Sequence, residues 1–89
     1  MRTVLTIAGT DPDGGAGIQV DLKTFAVLGV YGTSVVTAVV AQNTIGVQGL
    51  HVLPAGFVGM QIDSVMSDVE SNVWKTGMLA NSEIVKMVA

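Results

Sequence analysis

The chain has 89 residues, 49% of them hydrophobic and 12% charged, with a net charge of −3 and a mean hydropathy of +0.61, whereas a soluble domain ordinarily carries roughly a quarter charged residues. Its four basic residues, Arg2, Lys23, Lys75 and Lys86, are scattered and form no stripe to neutralise phosphates, which argues against a nucleic-acid partner. There is no cysteine for a disulfide framework or a thiolate zinc site, the longest apolar stretch (Val35–Ala41) is far below the roughly 18 residues of a membrane span, and the first residues do not read as a signal peptide. A cytoplasmic location with no membrane partner is expected.

Thr3–Ala8 reads as a strand closed by Gly9, and Thr10–Gly15 as a loop with Pro12, Gly14 and Gly15. From Ala16 the period changes to that of a helix. Ile18, Leu22, Phe25 and Leu28 form one stripe, and Gly29 is the stop. Ser34–Ala41 is a β-branched run without alternation, as expected of one strand covered on both faces. Val47–Leu53 reads as a weaker strand. Pro54 suits the first turn of a helix striped by Val58, Ile62, Val65 and Val69. Val73–Gly77 is a short strand, and Asn81 or Ser82 caps a last helix. The order β-α-β-β-α-β-α predicts an α/β sandwich with a mostly parallel sheet. The sparse charge, and a last helix without a Gly or Pro stop, suggest that residues 1–89 are the front part of one larger domain.

The loop Gly9–Gly17 joins strand to helix, where phosphate loops occur, yet it fails both phosphate patterns. No Lys follows Gly15 or Gly17 as a Walker loop requires, and Val20 stands where the dinucleotide pattern needs Gly. Asp11 and Asp13 would repel a pyrophosphate. A neutral or hydrogen-bond-donating ligand fits this backbone better, and so does a plain tight turn with the aspartates as Asx caps. Asp21 falls on the apolar stripe of the first helix, where a carboxylate needs donors; these could be a ligand amine or hydroxyl, or groups of the protein itself. Gln42 and Asn43 end the long β-branched run, where a carboxamide can read a nitrogen heterocycle or merely close a turn. Met78 follows Gly77 at the end of the Val73–Gly77 strand, as a soft lid over a flat ring or as core filling. His51 stands alone and carries no role. These residues lie at the carboxyl ends of three strands, which predicts one polar, neutral small-molecule pocket on a single rim.

At the same residues the sequence resembles the hydroxymethylpyrimidine/phosphomethylpyrimidine kinases of thiamine biosynthesis. The stretches that carry the likeness are Thr6–Pro12, Gly14–Gln19, Asp21–Phe25, Gly29–Gly32, Ala41–Thr44, Gly46–Gln48 and Lys75–Leu79, the strongest being Gly14-Gly15-Ala16-Gly17-Ile18-Gln19 followed by Asp21-Leu22-Lys23-Thr24-Phe25. The resemblance implies the N-terminal part of a ribokinase-like three-layer α/β/α sandwich. It also implies phosphate transfer from ATP to an aminopyrimidine's hydroxymethyl group and then to its monophosphate. Carried over, Gln42 would bond the aminopyrimidine and Asp21 would take its amino or hydroxymethyl edge, while Met78, Val40 and the Gly9 backbone would line the ring. Asp13 and Trp74 depart from the small and the smaller apolar residues usual in the family.

ATP, Mg2+ and the catalytic base are expected mainly in a C-terminal part. No catalytic residue or metal ligand is therefore assigned within residues 1–89, and the full-length protein has room for a homodimer. The rival readings are a pyridoxal or pyridoxine kinase of the same superfamily and a truncated, non-catalytic pyrimidine-binding module. Residues 1–89 expressed alone with ATP, Mg2+ and hydroxymethylpyrimidine should turn over no ATP. Turnover above a no-protein blank would place the catalytic apparatus in this stretch.

Overall fold

The computed structural model describes residues 2–71 and 73–88. Its central element is β1 (Thr3–Ala8), a β-prone run buried from Val4 onward. It pairs in parallel with β2 (Tyr31–Val36), from Thr3↔Tyr31 to Ala8↔Val36. On its other side it pairs in parallel with β5 (Val73–Thr76), from Val4↔Val73 to Ile7↔Thr76. The order β2-β1-β5 makes β1 the strand flanked on both edges. Helix α1 (Gly17–Val27) packs on one face of this sheet; α2 (Ala55–Asp68) and α3 (Ser82–Val88) pack on the other. The expected α/β sandwich with a parallel sheet is present.

Burial explains the layering. Leu5, Ile7 and Val35 of the sheet meet Val58 of α2 and Ile84 of α3, and all five side chains are fully buried. Ile62 and Val65 extend the α2 contact along the expected stripe, joined by Met66, while Val69 lies past the end of the helix. Asn81 caps α3, its Oδ1 accepting from Ile84 N at 2.9 Å. On the opposite face α1 comes close because β2 carries Gly32: a Cβ there would lie 2.8 Å from Phe25 and 3.0 Å from Leu22. Leu28 departs from its stripe and is 69% exposed. The helix stops at Val27, and Gly29, at φ +74°, turns the chain away before another turn can carry Leu28 inward.

The larger correction concerns residues 34–41. They do not form one strand covered on both faces. β2 ends at Val36, and β3 (Ala38–Gln42) leaves the sheet to pair antiparallel with β4 (Val47–Val52) in a separate two-stranded ribbon. Thr37 is the pivot. Its N–H donates to Ala8 O at 2.9 Å, its hydroxyl to Met78 O at 2.7 Å, and its own carbonyl accepts from Leu53 N at 2.9 Å. These long-range bonds clamp the chain where the parallel sheet ends and project the ribbon beyond it. After Ser34, Thr37 is the one polar residue inside this run, yet it does not by itself mark the break, because threonine is as much at home in a strand as the valines around it.

Among the described residues, apolar side chains remain open along the ribbon and along β5, which has no strand on its outer edge. Ile45 and Val47 are exposed, as are all four residues of β5, including Trp74. No helix among the described residues is long and apolar enough to cross a membrane. The pivot can be tested with Thr37→Val, which keeps the shape of the side chain but leaves the Met78 carbonyl without its donor. A loss of about 1–3 kcal/mol is expected in urea unfolding; a variant as stable as the parent would show that the hydroxyl does not hold the pivot.

Candidate functional site

The site begins with the loop between β1 and α1. Asp11 follows the end of β1 and is buried. Its Oδ1 accepts from Asp13 N at 3.1 Å, its Oδ2 from Gly15 N at 3.1 Å, and its backbone carbonyl from Gly14 N at 2.9 Å. Three successive loop amides are thereby spent on one aspartate, so this backbone has none of them left for a phosphate. Two glycines make the path possible. Gly14 sits at φ +73° and Gly17 at φ +64°, where a Cβ on Gly17 would lie 2.6 Å from Gly9 O. Gln19 on α1 closes the loop by accepting from Asp11 N at 2.8 Å.

The ribbon forms the opposite wall. Thr10 N–H donates to Ala38 O at 3.0 Å, and Val40 N–H donates to Thr10 Oγ1 at 3.0 Å, which ties β3 to the loop. A register shift between Ala41 and Gln42 re-aims the strand end. Gln42 Nε2 then donates to Asp11 Oδ1 at 2.6 Å. Met78, beyond the end of β5, supplies the third side. Its Cε lies against Gly9, where any side chain would collide with it. Between these walls is a cavity of about 330 Å³, lined by Gly9, Asp11 and Gly17 from the loop, Val40, Gln42 and Leu50 from the ribbon, and Met78. Its walls are apolar apart from the loop and the Gln42–Asp11 pair. Such a slot suits a flat ring with one polar edge.

Gly9, Val40, Gln42 and Met78 all border this cavity, and Gln42 arrives on the ribbon and not at the end of a parallel strand. Asp21 is elsewhere. It faces the sheet from α1, where its Oδ2 accepts from Thr6 Oγ1 at 2.6 Å and both oxygens accept from Lys75 Nζ at 2.9–3.0 Å. Of the two donor sets open to it, the structure supplies the internal one. Thr6 and Lys75 are register partners on adjacent strands, so Asp21 bridges the face of the sheet that α1 covers. Asp11 and Leu50 also line the cavity, two residues that the sequence alone does not single out for binding. Asp11 carried a usable signal, since an aspartate two and four residues ahead of Asp13 and Gly15 is spaced for an Asx turn. Leu50 carried none, because its place depends on the ribbon register.

The comparisons with known proteins meet this geometry. Residues 11–89 match the family model of phosphomethylpyrimidine kinase. The chain belongs to that family. It is 62% identical over 85 residues to the hydroxymethylpyrimidine/phosphomethylpyrimidine kinase of Salmonella typhimurium, a match covering 96% of this chain and 32% of that protein. The chain thus spans about a third of the length of this relative. The crystal structure of phosphomethylpyrimidine kinase from Clostridium difficile superposes with a TM-score of 0.93 at 45% identity, covering 99% of this chain and 38% of that one. The pyridoxal kinase of Staphylococcus aureus, solved with AMP-PCP and pyridoxal, gives a TM-score of 0.88 at 39% identity, covering 99% and 33%. The fold is the ribokinase-like one that the resemblance implied.

Asp21→Asn separates the two uses of that carboxylate. Asparagine keeps a partner for Thr6 but gives up the charge that holds Lys75. Because Lys75 is 48% exposed and water screens the pair, a loss of about 1–2 kcal/mol is expected in urea unfolding, with KM unchanged in the full-length protein. A raised KM at unchanged stability would return Asp21 to the ligand.

Proposed function

We propose that this chain supplies the pyrimidine pocket of a kinase that phosphorylates 4-amino-5-hydroxymethyl-2-methylpyrimidine and then its monophosphate, using ATP, in thiamine biosynthesis. The observation that carries the proposal is the Gln42 carboxamide at the border of an apolar slot, next to Met78 and the Gly9 backbone. A carboxamide joins a donor and an acceptor in one plane, the pattern of an amine beside a ring nitrogen. The apolar walls from Val40, Leu50 and Met78 would shed water from the two faces of the ring. The family match and the 62% identity to the Salmonella enzyme support the same substrate.

ATP does not fit the loop at this site, because the Asp13, Gly14 and Gly15 amides are taken by Asp11 and the carboxylate there would repel a triphosphate, and the Asp11 oxygens are already spent on N–H donors and not free for Mg2+. These 89 residues bind and orient the ring, and the phosphate donor belongs to residues outside them. A cytoplasmic location goes with such a substrate. The likeness to the Staphylococcus pyridoxal kinase keeps pyridoxal as the second candidate ring.

Phosphorylation of the aminopyrimidine and of pyridoxal by the full-length protein distinguishes the two. The aminopyrimidine should have the higher kcat/KM, and a preference for pyridoxal would overturn the proposal. Gln42→Ala should lower kcat/KM for the aminopyrimidine by the equivalent of about 1–3 kcal/mol. An unchanged value would remove Gln42 from the site.

A further inference from the structure

We propose that Asp11 is a positioning residue that locks the Gln42 carboxamide in one of its two orientations, so that the pocket accepts a ring carrying an amine and rejects the same ring carrying a carbonyl at that position. The proposal rests on the pyrimidine pocket of the preceding subsection and adds the origin of its selectivity.

A carboxylate can only accept hydrogen bonds, so of the two ends of the Gln42 amide only the nitrogen can face Asp11. The contact is short, 2.6 Å from Nε2 to Oδ1. Asp11 cannot swing to follow the amide. Its oxygens are pinned by the Asp13 and Gly15 amides, its backbone N–H by Gln19, and the side chain is buried. Turning the amide over would set Oε1 against the carboxylate, two acceptors face to face with no solvent between them. With one N–H spent on Asp11, Gln42 keeps its carbonyl oxygen and its second N–H. That pair, in fixed order, complements an amine that donates beside a ring nitrogen that accepts. A 4-oxo ring presents the opposite order, a carbonyl that accepts beside a ring N–H that donates. It could be read only by the reversed amide, the orientation Asp11 forbids.

The test uses the full-length protein and two ligands, 4-amino-5-hydroxymethyl-2-methylpyrimidine and its 4-oxo counterpart, with Kd measured by calorimetry. The wild type should bind the amine about 10- to 100-fold more tightly, the range over which one two-point edge contact discriminates. In Asp11→Asn the residue facing Gln42 can donate as well as accept, so either amide orientation is allowed. The amine-to-oxo ratio should then collapse by about tenfold, while the circular dichroism spectrum stays that of the wild type. A folded Asp11→Asn variant with the wild-type ratio would overturn the proposal, since a role confined to stapling the loop would weaken both ligands alike. If that variant does not fold, the wild type decides. Equal Kd values for the two ligands would overturn the proposal, and so would Gln42 side-chain NH2 protons exchanging with solvent as fast as those of an exposed glutamine. A wild type that binds neither ring would overturn the pyrimidine pocket itself, a result distinct from binding without discrimination.

Discussion

A buried carboxylate must have its oxygens filled or it costs more than the fold can spare, and the Asp11 carboxylate fills them from three directions. Two donors come from its own loop and one from Gln42, thirty-one residues further along the chain. Satisfying Asp11 therefore does more than staple a turn. It requires the ribbon of β3 and β4 to lie over the loop, where Gln42 and Asp11 together wall the cavity. The Asp11 N–H bond to Gln19 carries the same constraint into α1. Asp11 and its backbone thus tie loop, helix and ribbon to one another, alongside the Thr10 bonds to β3.

The ribbon is the less expected part of this arrangement. In an open parallel sheet, ligands meet the loops at the carboxyl ends of the strands, and here two of the three walls obey that rule, with Gly9 after β1 and Met78 after β5. The third wall comes from a strand that has left the sheet. Thr37 makes the departure possible by bonding at once to the end of β1, to Met78 and to Leu53. The pivot of the ribbon and the position of Met78 are thus coupled through one hydroxyl. The two-stranded ribbon pairs with no further strand among the described residues, and isolated ribbons are marginal in water. Its ties to Thr10 and Asp11 supply what further strands would otherwise provide.

Asp21 shows the same economy used for stability. From its place on the apolar stripe of α1 it bridges Thr6 of β1 and Lys75 of β5, so the helix is pinned to two adjacent strands by charge as well as by the packing of Leu22 and Phe25 over Gly32. The two aspartates are only ten residues apart, yet one borders the cavity and the other lies beneath the helix. A helix rotates successive residues by about 100°, so proximity along α1 and its leading loop says little about which side of the sheet a carboxylate serves.

Much of this was legible in the residues themselves. The periods of Val4–Ile7, of Ile18–Phe25 and of Val58–Val65 are local properties, and local sterics and burial suffice to make them strand, helix and helix. The Asn81 cap and the Gly29 stop are local too. The motifs around Gly9 and Met78 point to one rim because strands that alternate with helices end on the same side of a parallel sheet, whereas Gln42 reaches that rim on the antiparallel ribbon, which this rule does not foresee. The break at Thr37, the donors that meet Asp21 and the fixed orientation of Gln42 were not legible. Each depends on a partner 31 to 54 residues away, at Asp11, Met78 or Lys75, although Thr6, the other donor to Asp21, is only 15 residues off. A sequence by itself determines which segments can be strands or helices and which polar groups will need partners. Only the tertiary structure decides which partners they find, because a buried charge or amide is satisfied by whatever the packing of distant segments brings within hydrogen-bonding distance.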